Sequence, residues 1–327
     1  MTLQSDTLLH EDYPDAVEAY FENGYTDGLP IIPPTPEAVE SMLAAAHLAG
    51  PEVLGEVPTR NVTVTAEKAA VNAVMAGCKS EYFPVVAAAV RALLQPLANC
   101  HSTTATLAGS AHALIVNGPV RERIGVVSGQ ACMGPGFRTN ATIGRALRLV
   151  IRNVCRTVPT ELDRATFSWP LRYSFCFGEN EEYSDWTPNH VLQGYSPEDS
   201  AVTIMSVMRL LAAIEMAPES EVILEMISET ARLYGLSVDS FVGDARGIVV
   251  IIGMEHQRRL LDDGWTKEAV REWLFERMTR PTIGRYDLKV NLAEPSRILV
   301  IAAGGPGIAE SRVIMPHLAA PTHEQVR

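Results

Sequence analysis

Gly247-Ile248-Val249-Val250-Ile251-Ile252 and Ile298-Leu299-Val300-Ile301-Ala302-Ala303 are the stretches whose reading decides the fold. Each is a short, unbroken apolar run rich in β-branched residues, the pattern of a strand covered on both faces. Between them, His256 to Leu261 reads as helix, and Thr266 caps a further helix to about Met278. Ahead of them, Glu219 to Leu233 is amphipathic with helical spacing. Strands alternating with helices predict an α/β fold, with mixed or parallel sheets, flanking helices and two lobes.

The same alternation extends toward the N-terminus. Strands are expected at Asn61–Thr65, Ala113–Val116, Arg123–Val127, Tyr173–Phe177 and Ala201–Val207. Thr35 caps a helix with Pro36 at its first position, and Thr65 caps the alanine-rich helix Ala66–Ala76, which Gly77 ends. Further helices are expected over 81–94 and 141–155. Residues 1–11 read as disordered. No internal repeat and no linker is visible. The expected division is an N-terminal segment over 1–24, a cysteine-containing α/β domain over 25–200 and a second α/β lobe over 201–327.

Of the 327 residues, 47% are hydrophobic and 20% charged, enough apolar matter for a substantial core. The formal net charge of −12 argues against nucleic acid and anionic membrane as partners, since both select basic surfaces. The start of the chain is polar and acidic, and no apolar run reaches the roughly 18 residues of a membrane span. Five cysteines, an odd number, lie between residues 78 and 176. A cytoplasmic protein with reduced thiols is expected, assembled as a homo-oligomer.

The chemistry centres on Ser128-Gly129-Gln130-Ala131-Cys132-Met133-Gly134-Pro135-Gly136-Phe137-Arg138-Thr139-Asn140. It sets Cys132 in a glycine-rich loop ahead of a helix, whose N-terminal N–H groups would draw the thiol toward thiolate. Cys78 follows a helix C-terminus. Cys176 lies on an apolar strand that runs into Glu179-Asn180-Glu181-Glu182, where Glu179 is placed to move protons. Cys100 adjoins His101, but side chains of direct neighbours point apart. Arg138 suits a substrate carboxylate, and Asn140 either caps the helix or binds substrate.

The segments Asp27-Gly28-Leu29-Pro30, Glu67 to Val85, Asn140 to Ala146 and Phe175 to Glu182 together resemble a bacterial family labelled UGSC-type (seleno)proteins or thiol redox proteins. The Gly-Ser-Cys motif that names the family is absent here. The resemblance implies that Cys78, Cys132 and Cys176 occupy recurring segments, whereas Cys100 and Cys155 do not. The expectation is a cysteine-dependent enzyme acting on a small electrophilic or carboxylated molecule by reduction or carbon–heteroatom cleavage. Cys132, Cys78, Cys176 and Glu179 are its expected catalytic residues. Arg138, Asn140, Thr104, Asp27, Lys68 and Asn180 are the expected substrate contacts, and a redox partner protein is a further expectation. Two alternatives stand beside it: an iron–sulfur or other metal lyase ligated by Cys78, Cys132 and Cys176, and a non-catalytic binding subunit whose cysteines only pack.

Overall fold

A computed structural model describes residues 3–183, 185–234, 243–280 and 290–327. In chain order its helices are α1 (Tyr13–Glu22), α2 (Pro36–Ala45), α3 (Ala66–Ala76), α4 (Phe83–Leu94), α5 (Cys100–Thr104), α6 (Val120–Ile124), α7 (Arg138–Leu149), α8 (Asn189–Leu192), α9 (Ser220–Tyr234), α10 (Met254–Asp262) and α11 (Lys267–Thr279). The strands are β1 (Val53–Val57), β2 (Val62–Thr65), β3 (Ala111–Asn117), β4 (Cys176–Gly178), β5 (Ser200–Val207), β6 (Arg209–Ile214), β7 (Ile248–Ile252), β8 (Ile298–Ala302), β9 (Glu310–Met315) and β10 (Thr322–Val326). The fold is α/β with mixed sheets flanked by helices.

Two four-stranded sheets dominate, ordered β10-β5-β3-β4 and β6-β9-β7-β8. Each holds one parallel pair joined through helices, β3 with β4 and β7 with β8. Each then adds an antiparallel strand on the other side of the first strand, β5 or β9, and an antiparallel edge strand, β10 or β6. One topology therefore occurs twice, although no repeat is visible in the sequence. The edge strands are exchanged: β5 runs on into β6 of the other sheet, and the chain after β9 returns as β10 to the first.

The boundary expected near residue 200 is corrected by this exchange. Ser200 opens β5, a central strand of the first sheet, and the chain crosses over at Met208. The two sheets also share a core. Ala113, Ile115, Phe177 and Met205 of the first pack with Val249, Ile251, Ile301 and Ile314 of the second. The alternate residues face outward. Leu114, Val116, Val202 and Ile204 meet α3, α4 and α7, while Ile248, Val250, Val300 and Val313 meet α9 and α11. The layers run helix, sheet, sheet, helix. Side chains that alternate across each strand fill both faces, which is why the central strands read as continuous apolar runs.

Local signals place several helices as expected. Thr35 Oγ1 accepts from Ala38 N at 3.3 Å with Pro36 beginning α2. Gly77, at φ +88°, ends α3 in a double bond pattern, Gly77 N to Val74 O at 2.8 Å and Cys78 N to Ala73 O at 3.0 Å. Two expectations differ. Arg123–Val127 is not a strand: Gly118-Pro119 starts α6 there and Gly125, at φ +72°, ends it. The described part of the N-terminal segment is docked, because Gln4 N and Ser5 N donate to the Glu67 carboxylate at 2.7–3.0 Å. Among the described residues no single helix is long and apolar enough to cross a membrane.

Candidate functional site

The three cysteines expected to act together are not brought together. Cys78 and Cys176 lie in the helix–sheet core under α7, close enough for a Cys78 charge to act on Cys176. Cys132 lies in the opposite layer, between the two sheets. No group of three His, Cys, Asp or Glu side chains arranged to hold a metal ion occurs among the described residues. Cys78, Cys132 and Cys176 therefore do not form a shared ligand set, which corrects the metal-site expectation at these residues.

Their acidity is also corrected. Cys132 sits in a turn closed by its own N–H to Gly129 O at 3.2 Å, five residues before Phe137, the N-cap of α7. Burial pushes the Cys132 thiol up to about 11, although N–H groups of Gly304 and Met133 oppose the rise. Burial pushes Cys78 up to about 12 and Cys176 higher still.

Cys132 does border a cleft of about 290 Å³ between its own loop and Gly304–Gly307. The two loops touch so closely that a Cβ on Gly305 would stand 2.6 Å from Gln130 Cβ. Ala131 is held at φ +58°, a strained value for alanine. Asn140 clamps the loop: Oδ1 accepts Val127 N, and Nδ2 donates to Val127 O and Cys132 O, all at 2.9–3.0 Å. Asn140 thus positions the Cys132 loop, in place of the expected substrate contact.

The remaining expected residues have other partners. Arg138 gives Nε and Nη2 to Gly77 O at 3.1 and 2.9 Å, capping the C-terminus of α3. Glu179 is 2% exposed and fully engaged. Its Oε1 accepts Lys267 Nζ at 2.5 Å and Ala302 N at 3.4 Å, and its Oε2 accepts Asn117 Nδ2 at 2.5 Å and Asn189 N at 2.7 Å. With four donors and almost no exposure, this carboxylate ties β3 and β4 to β8 and α11. Asn180 N donates to Ala302 O at 2.7 Å, strengthening the same joint. Lys68 lines a separate surface pocket with Ser5, Asn72 and Asn153.

Sequence reasoning missed the arrangement around Cys100 and Cys155. Cys155 follows a π-turn, Val150–Val154, that extends α7. Such turns recur at functional sites. Cys100 is the first residue of α5. Cys100 and Cys155 are neighbours that shift each other's acidity, and the Arg60 and Arg148 charges lie nearby. Together these draw Cys100 below the ordinary thiol value, despite burial, and hold Cys155 well above it. Arg60 is locked in place by Cys155 O at 2.7 Å, Thr157 Oγ1 at 2.9 Å, His101 O at 2.9 Å and Thr104 Oγ1 at 2.6 Å. Thr104 Oγ1 in turn donates to Cys100 O at 2.6 Å, so Thr104 belongs to this centre and not to a substrate pocket.

Arg148 links the thiol pair to a larger cavity of about 500 Å³. Burial, then the Arg172 charge, pushes its guanidinium down to about 9. Its Nη1 donates to His112 Nδ1 at 3.2 Å. That ring is fully buried and held neutral, with Nε2 beside Thr103 Oγ1 at 3.1 Å. Asp27 lines the same cavity, but Arg145 grips both its oxygens at 2.8 and 2.7 Å. No sequence signal pairs Cys100 with Cys155; helix-start geometry at Cys100 is the nearest one. No known family model matches the chain, and no curated protein matches it either.

Proposed function

We propose that this chain is a cysteine-dependent enzyme whose working thiols are Cys100 and Cys155, and that it reduces a small molecule. The observation that carries the reading is the buried Cys100–Cys155 pair, each thiol shifting the other's acidity, with Arg60 fixed beside it by Cys155 O at 2.7 Å and His101 O at 2.9 Å and the Arg148 charge nearby. A thiolate held by a neighbouring thiol and by cations is the form that attacks, and the neighbouring thiol is the one that resolves. In the balanced step, Cys100 Sγ attacks the substrate, and Cys155 Sγ then displaces it as the Sγ–Sγ bond forms. The pair gives up two electrons and two protons, which the substrate receives. A low-molecular-weight thiol then returns them.

A second reading rests on the cleft beside Cys132, where N–H groups of Gly304 and Met133 face the sulfur. It makes Cys132 a nucleophile for covalent catalysis. One experiment separates the two. Native protein is treated with limiting iodoacetamide at pH 7.5, and the labelled peptides are mapped. A separate sample is exposed to glutathione disulfide and digested without reduction. Cys100 labelled first, with a Cys100–Cys155 cross-linked peptide, is the expected result. Cys132 labelled first, with no cross-link, would sink the dithiol reading.

A further inference from the structure

The cavity beside Arg148 has an uneven charge lining. Arg148, Arg152, Arg164 and Arg172 border it, against two carboxylates, Asp27 and Asp163. Both carboxylates already carry a guanidinium. Asp27 is paired with Arg145, and Asp163 with Arg172 at 2.5 Å. Arg148, Arg152 and Arg164 have no carboxylate within ion-pair reach among the described residues. Their acceptors are neutral: Arg172 O and the His112 ring for Arg148 at 3.0 and 3.2 Å, Gly24 O for Arg152 Nη2 at 2.9 Å, and Glu161 O for Arg164 Nε at 3.0 Å.

Two donors of these lining side chains also lack a partner. Nε of Arg152 and Nε of Arg172 are buried without any hydrogen-bond partner. Arg172 is itself nine-tenths buried, with 9% of its side chain exposed. Buried N–H groups and buried cations both cost free energy until a partner is supplied. The setting sharpens the argument, because the chain holds 39 acidic against 27 basic residues, yet three unpaired arginines share one cavity. A guanidinium presents its donors as a planar fork that matches two oxygens of one anion. The volume, about 500 Å³, falls in the range of small-molecule sites.

We infer that this cavity is a binding site for a small oxyanion, a carboxylate or a phosphate group, seated against Arg148 with Arg152 and Arg164 at its rim. The anion supplies the counter-charge that the fold withholds. Binding is measured directly, so this inference stands or falls apart from the thiol chemistry.

The test is isothermal titration of the full chain with inorganic phosphate and, separately, with succinate, at low ionic strength. Saturable one-site binding of either probe is expected, weakening as salt is added. Arg148→Gln should weaken it about tenfold and Arg164→Gln about threefold, the losses of one strong and one peripheral charge-assisted contact. Arg164 is exposed, so its variant reads out binding without endangering the fold. Lys79→Gln, an exposed lysine outside the cavity, should leave binding unchanged. Tighter binding of phosphate assigns a phosphate ester, and tighter binding of succinate assigns a carboxylate. No binding of either probe would overturn the site, as would an equal loss in Lys79→Gln.

Discussion

At the scale of single residues, the five thiols divide by surroundings and not by loop context. A glycine-rich loop before a helix is a sound reason to expect an activated cysteine, but at Cys132 burial raises the thiol instead. The division has a pH signature. Cys132 and Cys78 are raised to about 11 and about 12 from an ordinary 9.0. Above pH 9 the unfolded chain loses those protons while the folded chain keeps them. Their contribution is therefore complete below pH 9 and is lost as pH rises through 11 and 12. Cys100, with its value lowered, acts in the opposite sense: its contribution is present above pH 9 and lost as pH falls through its folded value. Melting temperature followed from pH 7 to 11 should fall above pH 9, and Cys78→Ala should flatten that fall. An unchanged alkaline slope in Cys78→Ala would show that its burial costs nothing on ionisation.

At the scale of elements, α7 is the part on which the thiols depend. It packs on β4 through Gly144, where a Cβ would stand 2.2 Å from Ser174 Oγ and 2.9 Å from Phe175 N. Gly144→Ala should therefore destabilise the fold by about 1–3 kcal/mol, the usual range for overpacking, as read by urea unfolding. Asn140→Ala should release the Cys132 loop instead. Alkylation of Cys132 should rise several-fold, whereas Cys100 should be unaffected; equal change at both would mean a global loosening. Much of this element was legible. Apolar Ile143 and Leu147 mark α7, Val150 and Ile151 mark the π-turn that extends it, and unbroken apolar runs mark β7 and β8. β6 and β10 were not legible, since β6 begins with exposed Arg209 and β10 reads Thr322-His323-Glu324-Gln325-Val326, an edge strand without an apolar run. The Cys100–Cys155 contact was hidden for a different reason: only the tertiary fold and the π-turn before Cys155 bring the two sulfurs together.

At the scale of the whole molecule, the exchanged edge strands and the shared inter-sheet core make one cooperative body out of two similar halves. The Glu179–Lys267 pair is the test of that unity, because it joins the end of β4 to the start of α11 with both side chains at most 2% exposed. Removing one charge strands the other in the interior, which typically costs about 3–5 kcal/mol. Lys267→Met should therefore be severely destabilised in a urea titration. Glu179→Gln keeps an oxygen acceptor for Asn117 and Asn189 but leaves the ammonium unneutralised, so it should also lose stability. Combining the two removes both charges, and a buried pair replaced by neutral groups is often tolerated. The double variant should thus be more stable than Lys267→Met alone, with a single unfolding transition throughout. If the two losses instead simply added, the pair would be two independent contacts. If the transition split in two, the sheets would be separate domains and the exchanged strands would not bind them.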